Sequence, residues 1–247
     1  MVAASGEGHI PSSFSIIDIL EVLYSKILRF NPTEPDWTDR DYFVLSKGHG
    51  AAALFAILNK VGIIAKQHLD NYSLSSGILG GHPDATNVPG AEASTGSLGH
   101  GFPTAVGIAL GLRIKEQGNK VFCLVGDGEC HEGTIWESAN IASNLKLGNL
   151  CVIVDFNGSA KQLMPHDEMT SKWEAFGWKA IEVDGHDVNQ LHQTFQNLQF
   201  GIVSQPTVIV ANTVKGKGVS FIEGHGNWHH KIPSEDDMKL IRMELLS

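Results

Sequence analysis

Two polar stretches follow apolar runs near the middle of the chain, and each of them carries an oxygen ligand. Asp127 stands between Gly126 and Gly128, directly after the apolar run 121–125, and Asn157 follows a second apolar run. The residues between them are numerous enough for a helix and its turns. We therefore predict two parallel strands that end side by side at the C-terminal edge of a sheet, where open α/β sheets bind ligands.

The ligand types in these two stretches indicate a metal site. An Asp carboxylate, an Asn amide oxygen and a nearby backbone carbonyl suit Mg²⁺, which keeps near-octahedral oxygen geometry and often shares its coordination with a diphosphate. Gly126 and Gly128 are expected to let the backbone turn sharply and approach a bulky anion without a Cβ clash. The spacing therefore predicts a site for a metal ion and a diphosphate.

This Gly-Asp-Gly and Asn arrangement resembles the thiamine-diphosphate-binding motif. Three further stretches strengthen the resemblance: SKGHG at 46–50, TGSLGHG at 95–101, and the pair Gly8-His9 followed by ILEVL at 19–23. In this order they resemble the N-terminal, diphosphate-binding half of transketolase, and the resemblance covers essentially the whole chain. The implied reaction transfers a two-carbon ketol unit from a ketose, or ketose phosphate, to an aldehyde acceptor.

The resemblance implies thiamine diphosphate and Mg²⁺ as cofactors, with Ca²⁺ or Mn²⁺ able to substitute for Mg²⁺. The implied metal ligands are Asp127, Asn157 and the backbone carbonyl of Ser159. The implied cofactor-binding residues are His49, Gly96, Ser97, Leu98, Gly126, Asp127, Gly128, Glu129, Asn157 and His229. The implied catalytic residues are His9, His49, His82 and His229, with His9 and His82 at the substrate hydroxyls. His49 could instead cap the helix that follows it, and His100 stands where the family usually has Gln.

The resemblance also implies a partner. Full-length transketolases continue into a pyrimidine-binding domain and a C-terminal domain, and we expect both on a separate chain. The protein is then the N-terminal subunit of a split enzyme, inactive alone, in a heterotetramer with two copies of each chain. Self-association through the helices after 101 and 128 is expected. Glu132 and Glu137 match acids of the subunit interface, although the helix dipole alone also favours acids at a helix start.

Composition and periodicity predict one large α/β domain over residues 1–247. The apolar fraction of 42% can bury a substantial core. Continuous apolar strands alternating with helices imply a doubly wound, mostly parallel sheet with helices on both faces, and by resemblance the fold of the diphosphate-binding domain. We predict strands at 42–45, 121–125, 150–155, 179–183 and 206–211, and helices at 15–28 (capped by upstream serines), 51–61, 102–117, 134–145, 188–198 and from about 234.

Several classes of function are disfavoured. The net charge of −9 argues against a nucleic-acid-binding surface, and no apolar run or leader pattern indicates a membrane span or secretion. The cysteines Cys123, Cys130 and Cys151 form no CxxC pair and are interpreted as core residues of a protein in a reducing cytoplasm. The pair His229-His230 lacks a nearby third metal ligand.

Three alternatives stay open at this point. The same cofactor could serve a specialised acceptor, such as an unusual sugar or an acyl carrier. The chain could also be a non-catalytic, cofactor-binding partner subunit. A nucleotide-binding α/β protein is the third, but the sequence has no GxGxxG, and the glycine-rich stretch 215–218 lacks the spacing of a Walker loop.

Overall fold

A single parallel sheet forms the centre of the molecule. The computed structural model describes residues 1–161, 164–165, 168–201, 203–224 and 228–246. The five strands lie in the order β1-β2-β3-β5-β4, and every neighbouring pair is parallel. The strands are β1 (Tyr42–Leu45), β2 (Val121–Gly126), β3 (Leu150–Phe156), β4 (Lys179–Asp184) and β5 (Thr207–Asn212).

Helices cover both faces of this sheet. They are α1 (Val2–Ser5), α2 (Ile10–Phe14), α3 (Ile17–Val22), α4 (Ala51–Lys60), α5 (Lys66–Asp70), α6 (Gly101–Ile114), α7 (Gly133–Asn144), α8 (Met169–Ala175), α9 (Val188–Gln196) and α10 (Glu235–Leu246). No helix in the described ranges is long and apolar enough to cross a membrane.

The strands are apolar throughout because both faces of the sheet are buried. Leu124 and Ile153 face one core, which they share with α2, α3, α4 and α9. Cys123 and Val152, one position earlier on the same strands, face a second core with α6, α7 and α8. This alternation confirms the predicted doubly wound α/β fold, and the sheet is parallel at every described pairing.

The predicted helix over 15–28 is largely confirmed. The chain is helical from α3 through a π-helical turn, Leu23–Ile27, and α2 ends just before this segment. The predicted serine cap is wrong, because α3 has no side-chain cap hydrogen bond. The Ser15 hydroxyl instead donates to the Asp155 carboxylate at 2.9 Å. The hydrogen bond to a buried carboxylate is charge-assisted, so this contact ties the segment before α3 to β3.

Strand register brings the polar loops together. Gly126 pairs with Asp155 at the ends of β2 and β3, and the Asp127 N–H donates to the Asp155 carbonyl at 3.2 Å. On the other side, Leu45 of β1 pairs with Leu124. The loops after β1, β2, β3 and β5 therefore meet at one C-terminal edge, as predicted for β2 and β3.

Candidate functional site

A cavity of about 440 Å³ opens at this edge of the sheet. Most of its lining comes from the loops that follow the strands, and the rest from α2, the loop before α6 and the segment after 228. Lining residues that the later arguments use are Ser12, Lys47, His49, Asp127, Asn157, Ser159, Lys215 and His229. The metal ligands predicted from the sequence therefore line one cavity.

Asp127 presents an unsatisfied carboxylate oxygen to this cavity. Its Oδ1 accepts a hydrogen bond from the Gly128 N–H at 2.7 Å, but its Oδ2 is buried and has no hydrogen-bond partner in the described part of the chain. Burial raises the pKa of Asp127, and the charge of Asp155 raises it further. A buried carboxylate with a free oxygen is stabilised by a cation, so this geometry fits a metal ion.

Asn157 and Ser159 complete the oxygen-rich side of the cavity. The Asn157 side-chain oxygen accepts from the Ser159 N–H at 2.9 Å, and its amide nitrogen donates to Asp155 at 2.8 Å. The Ser159 hydroxyl is buried and unpaired within the described ranges. These atoms offer neutral oxygens beside the single free carboxylate of Asp127, and coordination by all three residues stays a prediction.

Lys47 neutralises the other carboxylate at this edge, and sequence reasoning missed it. Its ammonium is buried and lies 2.5 Å from the Asp155 carboxylate, which is itself buried. Burial alone would raise the pKa of Asp155, but the Lys47 charge and hydrogen bonds outweigh it and hold that pKa below its usual range. Among the described residues no cluster of three His, Cys, Asp or Glu side chains could hold a metal. A divalent ion here thus needs further negative charge from a ligand.

Lys215 is a second buried lysine at the cavity that the sequence analysis did not single out. It lies three residues after β5 and is only 7% exposed, and its ammonium lies 2.8 Å from His229 Nδ1. Burial, followed by repulsion from Lys47, lowers the pKa of Lys215 to about 8. The available signal was its position just after a buried strand, at the same edge as Asp127. The cavity thus carries both a cation and an anion that lack full compensation, which fits a metal–diphosphate pair.

Histidines cluster at one side of the cavity. The His9 ring lies 5.4 Å from the rings of both His49 and His229, and 4.6 Å from that of His230. Burial, with the charges of His230 and His229 next, lowers the pKa of His9 to about 4, and burial followed by Lys47 lowers that of His49 to about 2. Both rings are therefore neutral at pH 7. His49 lies inside a 3₁₀ turn, and the N-cap of the following helix α4 is Gly50, with no side-chain cap hydrogen bond, so the helix-cap interpretation is wrong.

The loop before α6 packs beside these histidines. Gly96 has a φ of 143°, and a Cβ there would lie 2.9 Å from the exposed His82 ring, so glycine is required. Leu98 lines the cavity. Ser97 is exposed and contacts His100 Nδ1 at 3.2 Å, which makes His100 part of a local turn. Cofactor contacts by Gly96, Ser97 and Leu98, and the catalytic role of His82, stay predictions.

Glu129 lines the cavity, but its carboxylate is hydrogen-bonded to the surrounding loops. It accepts from the Ser46 hydroxyl at 2.5 Å, the Gly99 N–H at 3.0 Å and the Gly126 N–H at 3.1 Å. Both carboxylate oxygens of Glu129 thus accept hydrogen bonds from the protein. Cofactor binding by Glu129 stays a prediction.

The expected conformational role of Gly126 and Gly128 is wrong. Neither has a positive φ, and an added Cβ would come no closer than 3.5 Å to the protein. The backbone turns here without needing glycine. The close approach of an anion to these two residues stays a prediction.

Glu132 and Glu137 lie away from the cavity, at the beginning of α7, and both are exposed. Glu132 occupies the N-cap position but makes no side-chain cap hydrogen bond. Their proposed place in a subunit interface stays a prediction.

Comparison with known proteins decides the family. Residues 1–246 match the family described as "Transketolase, thiamine diphosphate binding domain". The chain belongs to the transketolase family. It is 40% identical over 243 residues to one subunit of the apulose-4-phosphate transketolase of Actinobacillus succinogenes, covering 96% of this chain and 87% of the relative. It is 36% identical to the 6-deoxy-6-sulfo-D-fructose transketolase subunit SqwG of a Clostridium species, covering 97% and 89%.

Solved transketolases share the fold. The transketolase from Leishmania mexicana superposes with a TM-score of 0.92 at 28% identity, and the match covers 99% of this chain and 39% of that chain. The Campylobacter jejuni enzyme gives the same TM-score, with 40% of its chain covered. This chain therefore spans about two fifths of these transketolases. The family resemblance inferred from the motifs, and the thiamine-diphosphate-binding domain with it, are confirmed.

The neutral histidines predict an acid-sensitive fold. In the folded chain the pKa values of His9 and His49 lie below 6.5, the usual value for a histidine in an unfolded chain. As the pH falls below 6.5, the unfolded chain therefore binds more protons than the folded chain. The contribution of these two histidines to the free energy of unfolding is fully present above pH 6.5 and is lost toward pH 4. In urea denaturation, the free energy of unfolding of the double variant His9→Gln/His49→Gln should fall by about 3–4 kcal/mol less than that of wild type between pH 7 and pH 5. The exposed-site variant His100→Gln is the control and should keep the wild-type slope. Equal slopes for all three proteins would contradict neutral histidines.

Proposed function

We propose that this chain is the diphosphate-binding subunit of a two-chain transketolase. With thiamine diphosphate and Mg²⁺, the pair would transfer a two-carbon ketol unit from a ketose or ketose phosphate to an aldehyde acceptor. The observation that carries the proposal is the free, buried Asp127 oxygen in the same cavity as the buried Lys215 ammonium. One side fits a divalent cation, where Ca²⁺ or Mn²⁺ could replace Mg²⁺, and the other fits a phosphate anion.

Each side of the cavity has its own part in holding the cofactor. Asp127, Asn157 and the Ser159 carbonyl would hold the metal, and Lys215 would donate to a phosphate oxygen. Thiamine diphosphate, when bound, supplies the electron sink that ketol transfer requires. The protein's part is binding, orientation and the placement of protons.

The histidines are suited to handling protons at the substrate. An ammonium group can only donate, so the Lys215 contact makes His229 Nδ1 the acceptor and leaves the proton on Nε2. His229 is then a hydrogen-bond donor through Nε2 near neutral pH. The neutral His9 and His49 rings can each donate from one nitrogen and accept at the other, which suits hydroxyl and carbonyl oxygens.

The partner is expected to supply what this chain lacks. Two relatives are named as one subunit of an apulose-4-phosphate transketolase, and this chain spans about two fifths of solved transketolases. Among the described residues, no arginine lines the cavity. We therefore expect the pyrimidine-binding, C-terminal subunit to supply the groups that bind a sugar phosphate.

The proposed assembly is a heterotetramer with two copies of each chain. The two copies of this chain would contact each other through α6 and α7. One face of α6 carries Gly107, Gly111 and the exposed Ile114, and an added Cβ at either glycine would meet nothing within 4 Å. Ile141 on α7 is also exposed. A second copy of the chain fits this small-residue and apolar surface.

Reconstitution tests the proposed function. The chain should be co-purified with the product of its neighbouring gene and assayed for ketol transfer with thiamine diphosphate and Mg²⁺. We expect turnover that needs both chains, the cofactor and the metal. Turnover by this chain alone would contradict the split site, and cofactor binding without turnover by the pair would favour a non-catalytic role.

A specialised substrate is the second candidate within the same chemistry. The named substrates of the relatives are apulose 4-phosphate and 6-deoxy-6-sulfo-D-fructose, so subunits of this kind serve uncommon sugars. The reconstitution assay should therefore include these two donors beside common ketose phosphates. A panel of aldehyde acceptors, including an acyl carrier, would identify the acceptor.

A further inference from the structure

Asp155 occupies the centre of a buried hydrogen-bond network below the proposed metal site. Its carboxylate is fully buried and accepts from four side chains that come from different segments. Oδ2 accepts from Lys47 Nζ at 2.5 Å, from Asn157 Nδ2 at 2.8 Å and from the Ser15 hydroxyl at 2.9 Å, and Oδ1 accepts from the Thr213 hydroxyl. The proposed cofactor contacts do not use this residue.

The Asn157 carboxamide can present either its oxygen or its nitrogen to the cavity. A carboxylate only accepts hydrogen bonds, so Asp155 selects the orientation in which Nδ2 points toward it. That choice leaves Oδ1 on the side of Ser159, whose N–H it accepts. The opposite orientation would bring two oxygens together in the interior and turn an NH₂ group toward a metal, which no metal ion accepts as a ligand.

We propose that Asp155 is a positioning residue that fixes the Asn157 side-chain oxygen toward the metal, and that Lys47 holds Asp155 in place for this purpose. This inference rests on the proposed function, because it takes Asn157 as a metal ligand. Lys47 is itself fixed by hydrogen bonds to the Ser12 carbonyl and the Ser15 hydroxyl. The orientation of one ligand is therefore determined by α2 and by the segment leading into α3.

Lys47 also determines the charge that the metal meets. Because it neutralises Asp155, the carboxylate of Asp127 is the one left to attract the cation at this edge of the described chain. An isolated Asp155 would compete for the metal from below the site. The Lys47–Asp155 ion pair therefore orients the Asn157 side chain without adding a second anionic ligand for the metal.

The test is the affinity of the full chain for Mn²⁺ in the presence of thiamine diphosphate, followed by electron paramagnetic resonance of free Mn²⁺. An amide at 155 can turn either its oxygen or its NH₂ group toward Asn157 and no longer selects one orientation. Asp155→Asn should therefore lower this affinity by roughly 10–100-fold, the range seen when a partner of a metal ligand is lost. Affinity for thiamine diphosphate in EDTA should stay within about two-fold of wild type.

An exchange variant provides the rescue. In Asp155→Asn/Asn157→Asp, the new amide at 155 can accept from Lys47 and donate to the new carboxylate at 157, which restores an oriented oxygen ligand. Its Mn²⁺ affinity should recover to within about ten-fold of wild type. Recovery also shows that a loss in the single variant does not arise from misfolding.

A matched control separates positioning from general stability. Asp41 is another buried aspartate paired with a basic residue, Arg29, but it lies at the opposite edge of the sheet, just before β1. Asp41→Asn should lower resistance to urea and leave Mn²⁺ affinity within about two-fold.

Two results would overturn the inference. In the first, Asp155→Asn keeps wild-type Mn²⁺ affinity while Asn157→Ala loses it, which would make Asp155 purely structural. In the second, the exchange variant binds Mn²⁺ no better than the single variant. Failure of the proposed function looks different, because Asn157→Ala and Asp127→Asn would then both retain Mn²⁺ affinity.

Discussion

Replacing Asp127 by asparagine should lower the affinity of the chain for thiamine diphosphate in the presence of Mg²⁺ by roughly 100-fold or more. Loss of a residue that merely supports a metal ligand already costs ~10–100-fold, and Asp127 is proposed as the one anionic ligand. The asparagine still accepts from the Gly128 N–H, so the local turn is retained. Isothermal titration calorimetry with and without Mg²⁺ measures the effect.

The same substitution should stabilise the chain when no cofactor is bound. Burial, followed by the charge of Asp155, raises the pKa of Asp127, so a neutral amide should raise the free energy of unfolding at about pH 7. Asp70→Asn, at the exposed end of α5, is the control and should change neither quantity. Unchanged cofactor affinity in Asp127→Asn would contradict its role as the metal ligand.

Replacing Lys215 by methionine should have the second-largest effect. A hydrogen bond between charged groups in a buried site contributes about 1.5–3 kcal/mol, so affinity for thiamine diphosphate should fall roughly 10–150-fold. The loss should persist in EDTA, because Lys215 is proposed to bind phosphate and not the metal. Calorimetric titration with and without Mg²⁺ distinguishes this pattern from that of Asp127→Asn.

Lys217 offers a matched control two residues away. It is exposed and lies 4.0 Å from Glu223, outside the cofactor cavity. Lys217→Met should keep wild-type affinity, and Lys215→Met should be more stable than wild type without cofactor, since a buried ammonium with a pKa near 8 is removed. Equal affinities for the two variants would rule out Lys215 as a phosphate ligand.

Both predictions express one property of the cavity. The unbound site holds a carboxylate and an ammonium that are only partly compensated, and each lowers stability until a ligand of opposite charge binds. Binding energy is thus available from charges that the fold has already buried. Neutralising either residue should therefore stabilise the unbound chain, and this gain in stability should be accompanied by weaker cofactor binding.

The parts of the fold that follow from local pattern were predictable. Apolar runs ending in Gly-Asp-Gly and in Asn157 predicted two adjacent parallel strands, because such runs are typical of strands buried on both faces. Their register then brought Asp127 and Asn157 to one edge. The family motifs likewise identified a domain that the comparisons confirm.

Contacts between distant residues were not predictable from pattern. Lys47 and Asp155 are 108 positions apart, and no local periodicity reports such a pairing. Glu129 lies in the recognised motif, yet its carboxylate accepts from Ser46 and Gly99, which only the folded chain brings near. The one sequence signal for Lys215 was its position soon after a buried strand, since its glycine-rich stretch lacks Walker spacing, and its burial comes from tertiary packing after β5.

A single site that holds a metal ion and a diphosphate together underlies every role proposed for these residues. The direct measurement is Mn²⁺ affinity of the full chain, with and without its partner, in the absence and presence of thiamine diphosphate. Because one free carboxylate is a poor site for a divalent ion alone, we predict weak binding without the diphosphate and at least about 100-fold tighter binding with it. Equal Mn²⁺ affinity under both conditions would contradict a shared metal–diphosphate site.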